Sequence, residues 1–350
     1  MRHNYLNNTP LEEAKEAYLS CLRQDGFLYK TETIPSAEAS GRILSQAVYA
    51  HICSPHYNAS AMDGIAVKAS HTYGASEAEP ITLSAEQYTV VDTGDPIPDD
   101  ADAVIMVEDV TELDKGKVKI FSAVHPWQNV RQVGEDICMG DMIAPSFTEV
   151  TPSLCGAFLA GGVLQVQVIR RPVVGIIPTG DEIVSPKADP QKGEIIEFNS
   201  TIFSSMLSGW NAESRVYDII KDKKDLLRQQ IKAACDECDA VLVLAGSSAG
   251  RDDYTSTIIS QKGEVLYHGI AIKPGKPAVL GRIGAIPVVG LPGYPVSAIV
   301  IMEEIVKSVI DLYYERAEKK PDTVKAILGK RVVSSLKYQE YVRVTLGKID

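Results

Sequence analysis

Four short stretches combine residue types that handle anionic ligands, and each follows a run that reads as a β-strand. In PTGDEIV, 178–184, Thr179 and Gly180 precede Asp181 and Glu182. Two adjacent carboxylates at a strand's C-terminus suit Mg²⁺ or a polar ligand, because a hard cation takes oxygen donors. The alternative is a turn with solvated acids. In LAGSSAGRDDYT, 244–255, Gly246, Ser247, Ser248 and Gly250 lead to Asp253 at a helix start. Small residues let backbone N–H groups crowd an anion there; a tight turn with an Asp cap is the blander reading. In IKPGKPAVLG, 272–281, Lys273 and Lys276 flank a Pro-Gly turn. A stiff turn that aims two ammonium groups one way holds phosphate or another oxyanion. This is not a Walker A loop, since Gly269 to Gly275 is one residue too long and Pro277 stands where Ser or Thr belongs. In GLPGYPVSA, 290–298, Pro292 stiffens the loop, Pro295 opens a helix and Ser297 lies in its first turn. A fifth stretch, NASAMDGIAV, 58–67, places Asp63 and Gly64 at the start of an apparent strand. Neither is welcome in a buried strand, so this is either a turn or a site.

Other chemistry is disfavoured. None of the six histidines falls in the four loops, and no Ser-His-Asp order is evident. Histidine acid–base catalysis is therefore not expected; positioning and Mg²⁺ charge neutralisation fit better. Cys235 and Cys238 have CxxC spacing but stand at a helix end without a second pair, so they read as structural, as do His51, Cys53 and His56.

The elements that must position these residues follow from periodicity. Leu11 to Arg23 has helical spacing, with Thr9 as N-cap and Pro10 at N1. Ser40 to His51 reads as a second helix. Short β-like runs, GIAVKA, ITLSAE, YTVVDTG, ADAVIMVEDV and KVKIFSAV, then alternate with Gly, Pro and Asp turns up to about residue 140, as in an all-β module. A helix over Pro152 to Leu159 and a strand over Leu164 to Ile169 follow. From Pro172 strands alternate with helices, which implies a mostly parallel sheet covered by helices. In such a sheet ligands bind beyond the carboxyl ends of the strands, where all four loops lie. After residue 320 a β pattern restarts in KRVVSSL and YVRVTLG. Two or three strands do not close a β domain, so the chain is expected to be a piece of a longer protein.

The 350 residues carry a net charge of −11, with 45% hydrophobic residues. The charge argues against nucleic-acid or membrane-surface partners. No run of 18 apolar residues suggests a membrane span, and the N-terminus lacks a signal-peptide core. Six unevenly spaced cysteines read as reduced thiols, so a cytoplasmic location is expected.

SAMDGIAV, DTGDPIP, ADAVIMVED, VRQVGEDI, PTGDEIV, AGSSAGRDDYT, IKPGKPAVLG and GLPGYPVSA occur in that order. Together they resemble the MoeA type of molybdopterin molybdenumtransferase, the family of the gephyrin E domain. The resemblance implies an α/β multidomain protein: a mixed domain I from 1–45 and 141–171, a β-rich insert from 46–140, a MogA-like α/β domain from 172–318 that binds molybdopterin, and the incomplete start of a C-terminal β barrel from 319–350. It implies a homodimer whose active site is shared between subunits, and contact with a MogA-type adenylyltransferase. The implied reaction is Mg²⁺-dependent insertion of molybdate or tungstate into adenylylated molybdopterin, with release of AMP. Catalytic roles pass to Asp63, Thr93, Glu182, Asp222 and Asp253, with Asp181, Glu182 and Asp253 on the metal. Substrate contacts pass to Thr179, Gly180, Asp181, Gly246, Ser247, Ser248, Gly250, Lys273, Lys276, Pro292, Pro295 and Ser297. The chain departs from the family at AGSSAGRDDY, where SGGVSVGxxDY is usual, and at Tyr294, where Asn is frequent.

Two other classes remain: a gephyrin-like scaffold, which would bind peptides without Asp63 and Asp253, and a CinA-like nucleotide hydrolase. CinA-like proteins share the α/β module but lack the insert that carries residues 58–67.

Overall fold

The computed structural model describes residues 9–187, 189–244, 254–317, 322–334 and 336–347. The chain forms two compact units, one from Met1–Thr31 with Ile169–Asp350 and the other from Glu32–Val168.

The first unit is built on a six-stranded sheet. Its order is Glu213–Val216, Val173–Pro178, Ala240–Leu244, Ile286–Leu291, Val279–Ile283 and Glu264–His268. The first four strands are parallel and the last two add antiparallel edges. The central strands are apolar on both faces. Val174, Ile176 and Ile177, and Val241, Leu242 and Val243, are almost fully buried, as a sheet covered on both sides requires. Ile177, Val241, Val243 and Val288 pack against Leu227, Ile231, Ile258 and Ile259 of the Lys224–Glu237 and Tyr254–Lys262 helices. The Asn199–Gly209 helix packs on Val173–Pro178 and Glu213–Val216. The predicted βα series is therefore present, with an antiparallel edge added between its last two units.

The long C-terminal helix is α-helical over Pro295–Ile301 and Lys307–Tyr313 but widens to π geometry over Met302–Val306. The first helix spans Leu11–Gln24 and buries Tyr18, whose hydroxyl donates to the Gly281 carbonyl at 2.9 Å. Its start differs from the expectation. Pro10, not Thr9, is the N-cap, with extended dihedrals and no side-chain cap. The Thr9 carbonyl instead accepts the Ala271 N–H at 2.8 Å, so tertiary pairing has taken the residue intended as the cap.

In the second unit, Gly64–Val67 pairs antiparallel with both Tyr88–Val91 and Ala103–Met106. A second three-stranded sheet joins Ile81–Leu83, Lys117–Ile120 and Val110–Leu113. Ile65, Val67, Leu83, Ile105, Val118 and Ile120 share one core. Another core gathers Leu44, Val166 and Val168 under Phe158 of the Pro152–Ala160 helix.

Two expectations fail. Ser40 to His51 is not a helix: it carries a short strand, Val48–Tyr49, and isolated bridges at Ile43 and Leu44. Gly41 adopts φ +75°, and the Gly41 and Leu44 N–H groups donate to Val150 and Thr148 carbonyls. Non-local β pairing has claimed donors that a helix would use internally. KRVVSSL and YVRVTLG form no strands among the described residues. The intervening Gln339–Glu340 pairs parallel with Ile272–Lys273. Val333, Val344 and Leu346 stay largely exposed, and a strand without a partner has nothing to satisfy its backbone.

Candidate functional site

The Val173–Pro178 strand is followed in the chain by its neighbour on one side, Glu213–Val216, and then by its neighbour on the other, Ala240–Leu244. That reversal is a topological switch point, where the connections leave in opposite directions and open a crevice at the strands' carboxyl ends. Thr179 closes the floor of this crevice. Its N–H and hydroxyl both donate to the Leu244 carbonyl, at 3.0 and 2.9 Å, and Thr179 is buried.

A cavity of about 650 Å³ lies there. Its lining includes Pro178, Thr179 and Glu182 from the first loop, Leu244, Pro277, and Pro292 and Pro295 from the last. It also takes Ile195, Glu197, Phe198 and Asn199 from a segment that the loop-based reading passed over. A two-residue parallel pair, Ile183–Val184 with Ile195–Ile196, carries that segment to the rim. The Glu197 N–H donates to the Val184 carbonyl at 2.8 Å, and Glu197 Oε1 accepts the Ser200 N–H at 2.9 Å at the start of the Asn199–Gly209 helix. The capping sense of that last contact, a carboxylate three residues before a backbone donor, was the one local signal available in EFNS.

The acidic residues take distinct positions. Gly180 holds φ +142°, a conformation that side chains rarely adopt, and lets the chain turn back from the strand. Asp181 Oδ1 accepts the Asp222 N–H at 3.2 Å, and the Lys221 ammonium donates to the Asp181 carbonyl at 2.7 Å. The loops after the first two parallel strands are thus brought together. Glu182 is exposed and its carboxylate accepts no hydrogen bond from a described residue. Mg²⁺ is bound in proteins by one or two carboxylates plus ligand phosphates and water, and Glu182 fits that donor pattern. No cluster of three or more His, Cys, Asp or Glu suited to a metal occurs among the described residues.

Lys273 and Lys276 do not line the cavity, but Pro277, next to Lys276, does. Lys273 Nζ lies 3.3 Å from Glu340 Oε1. Lys276 Nζ donates to the Tyr338 hydroxyl at 3.1 Å, with the ammonium 5.3 Å from that ring centroid. Ser297 is half-buried and does not line the cavity. Gly246, Ser247, Ser248, Gly250 and Asp253 lie outside the described residues.

In the other unit, Asp63 and Thr93 are bonded directly. The Thr93 N–H and hydroxyl both donate to Asp63 Oδ1 at 2.7 Å. These two donors, hydroxyl first, hold the Asp63 carboxyl below the usual aspartate range. Ser60 ties the two loops: its N–H donates to the Asp95 carbonyl and its carbonyl accepts the Gly94 N–H. Cys235 and Cys238 are free thiols. Burial first, then Asp236 and Cys238, pushes the Cys235 thiol up to about 12, and burial also raises Cys238. Neither is a ready thiolate ligand.

Residues 9–162 match the family described as "MoeA N-terminal region (domain I and II)", and residues 175–311 match the one described as "Probable molybdopterin binding domain". The chain is 34% identical over 337 residues to a Methanocaldococcus jannaschii protein provisionally named for molybdopterin biosynthesis, covering 92% of this chain and 81% of that one. The chain belongs to the MoeA family. A molybdopterin molybdenumtransferase from Haemophilus influenzae is 30% identical over 344 residues, covering 93% of this chain and 84% of its own. Two crystal structures of molybdopterin biosynthesis MoeA protein from Pyrococcus horikoshii align with TM-scores of 0.77 and 0.72, at 30% and 27% identity. They cover 89% and 95% of this chain and 81% and 86% of theirs. The MoeA-like α/β multidomain fold, with its MogA-like domain, is thereby established. No helix among the described residues is long and apolar enough to cross a membrane.

Proposed function

We propose that this MoeA-family chain is a molybdopterin molybdenumtransferase that acts in molybdenum cofactor biosynthesis, in the cytoplasm. It takes adenylylated molybdopterin and molybdate, or tungstate, releases AMP and delivers the metal-loaded pterin. The observation that carries this reading is the cavity at the switch point of the α/β sheet. Thr179, Glu182, Pro292 and Pro295, four residues singled out by motif, meet there around one apolar space.

The residues divide the work by chemistry. The apolar walls exclude water from the bound ring and strengthen the polar contacts inside. Lys273 and Lys276 would supply positive charge that draws an oxyanion to this sheet edge. Asp63, kept ionised by Thr93, is a fixed negative charge that would orient a donor of the bound substrate. Glu182, with Asp181 and Asp253, would hold Mg²⁺. Bound there, Mg²⁺ would neutralise charge on the adenylate phosphates.

We further propose the four-domain division set out above, with the C-terminal segment opening a β barrel, and a homodimer whose active site draws on both subunits. The test is turnover: purified protein with adenylylated molybdopterin, Mg²⁺ and molybdate should release AMP, and intact adenylate at the end would sink the reading. Subunit sharing is read from mixed dimers. Asp63→Asn and Lys276→Ala proteins, each inactive alone, should regain turnover when mixed.

A further inference from the structure

Two cysteines far apart in the chain stand side by side in the second unit. We propose that Cys53 and Cys138 are a redox pair, closing a reversible disulfide that fastens the two ends of the β-rich segment when the surroundings turn oxidising. This goes beyond the proposed function and depends neither on the ligand cavity nor on turnover.

The register sets them opposite each other. Ser54 and Ile137 form an antiparallel bridge. The Ser54 N–H donates to the Ile137 carbonyl at 2.8 Å, and the Ile137 N–H donates back to the Ser54 carbonyl at 3.1 Å. Residues that exchange both bonds are a hydrogen-bonded pair, so the adjacent opposed pair is a non-hydrogen-bonded one. That pair is Cys53 with Cys138. The Cys138 main chain agrees. Its N–H donates to Asp141 Oδ2 and its carbonyl accepts the Asp141 N–H, so neither group turns to Cys53. In such a pair the Cα atoms lie about 4.5 Å apart, within the span of about 4.4–6.8 Å that a disulfide bridges. Opposed residues also project to the same face of the pleat.

The sulfur positions bear this out. A Cβ at Gly134 would lie 2.8 Å from Cys138 Sγ and 3.6 Å from Cys53 Sγ. Both sulfurs thus crowd one point, and a side chain at 134 would take the space they share. Cys53 Sγ accepts the Met139 N–H at 3.3 Å, the amide that follows Cys138, which fixes that sulfur beside its neighbour. Cys138 Sγ donates to the Gly134 carbonyl at 3.3 Å. Both are free thiols, Cys138 exposed and Cys53 partly so. Cys235 and Cys238 are unlike them, since burial raises both of those thiols. Thiol–disulfide exchange needs a thiol that an oxidant can reach, and a second one beside it to complete the bond.

The oxidant is a small disulfide such as oxidised glutathione. The Cys138 thiolate attacks one sulfur of the oxidant, forming a mixed disulfide and releasing one glutathione thiolate. The Cys53 thiolate then attacks Cys138 Sγ and displaces the second glutathione. The protein gives up two electrons and two protons, and the oxidant takes both to become two thiols. The new bond closes a ring through residues 54–137. Asp63, Thr93 and both three-stranded sheets lie inside that ring. A cross-link over so long a loop restricts the unfolded chain strongly. In a reducing compartment the pair stays open, as befits a transient, redox-sensing bond.

The test equilibrates the purified protein with set ratios of reduced to oxidised glutathione and then traps free thiols by alkylation. At an oxidising ratio two of the six cysteines should escape alkylation, and a digest should join the Cys53 peptide to the Cys138 peptide. Excess reduced glutathione should make all six reactive again. The oxidised protein should melt about 5–15 °C above the reduced one. Cys53→Ser and Cys138→Ser should form no internal bond and show no such gain, and Cys53→Ser should instead hold one glutathione on Cys138. Reduced melting temperatures equal to the parent's would show that both variants fold. All six thiols alkylated at the oxidising ratio, a bond mapped to another pair, or a Cys53–Cys138 bond that leaves melting unchanged would each overturn the assignment.

Discussion

Asp63 and Thr93 lie thirty positions apart and are joined twice, with the Thr93 N–H and hydroxyl both 2.7 Å from the same Asp63 oxygen. Two donors on one oxygen favour the ionised form, and the Asp63 carboxyl is held below the usual aspartate range. The folded-state value is depressed, so the contribution of these bonds is present at neutral pH and is lost only as pH falls through that lowered value. Thr93→Val removes the hydroxyl but keeps the N–H. In a ¹³C titration the Asp63 midpoint should move up toward its ordinary value, and the acid limb of turnover should move up with it. An unmoved midpoint would mean that the hydroxyl does not set the charge. Asp63→Asn should leave the fold intact and lower turnover roughly 10²-fold or more, the scale of losing one preorganised electrostatic contact.

Gly64 has a structural task beside that chemical one. A Cβ at Gly64 would lie 2.0 Å from the Ile105 carbonyl oxygen, inside the antiparallel ladder of Gly64–Val67 with Ala103–Met106. The glycine brings two backbones together, rather than a backbone to a ligand. Gly64→Ala should therefore push the strands apart and destabilise the unit by about 2 kcal/mol or more. Chemical denaturation should show a lowered midpoint, in contrast to Asp63→Asn. Equal stability of both variants would remove this distinction between neighbouring residues.

Asp239 offers a stability prediction remote from any ligand. It is 4% exposed, and its carboxylate is met by Lys30 Nζ at 2.8 Å, Arg170 at 2.5 Å and the Val173 N–H at 2.8 Å. Burial alone would raise its pKa, but these three donors outweigh it and the carboxyl is lowered. Its stabilisation is thus complete above the ordinary aspartate pKa and declines as pH falls through the lowered one. Asp239→Ala leaves Arg170 without its buried anion and should cost about 3 kcal/mol at neutral pH. The difference in stability from the parent should shrink in acid. A gap that widened as pH fell would contradict the sign.

The order of strands and helices was legible because it rests on local pattern. Val173–Pro178 and Ala240–Leu244 are unbroken apolar runs, and a covered parallel strand has to be. The loop after each such strand could be named for the same reason. What stayed hidden was non-local. Ser40 to His51 reads as a helix, yet its Gly41, Leu44, Ser45 and Ala50 N–H groups donate to carbonyls of Val150, Thr148, Gln167 and Asp141. Thr9 looks like a cap until Ala271 takes its carbonyl. Glu197 and Phe198 reach the cavity by a strand pair only two residues long, too short for any period to register. Nothing in IKPGKP foretells that its lysines meet residues more than sixty positions later.

Those lysines support the last prediction. Glu340, with a side chain only 11% exposed, lies 3.3 Å from Lys273, and Tyr338 accepts a hydrogen bond from Lys276. Both contacts follow from one register, in which the Gln339 N–H donates to Ala271 and the Tyr341 N–H to Lys273. An oxyanion that uses the Lys273 ammonium must compete with the Glu340 carboxylate. Lys273 is 63% exposed, so the pair is screened and contributes only about 0.2–1 kcal/mol. Glu340→Gln removes the competing charge and keeps the shape. Calorimetry with molybdate should show affinity rising by up to about fivefold, with the gain shrinking as salt is added. Weaker molybdate binding in Glu340→Gln would instead make Glu340 part of the arrangement that aims the lysine, and a gain insensitive to salt would rule out charge competition as its cause.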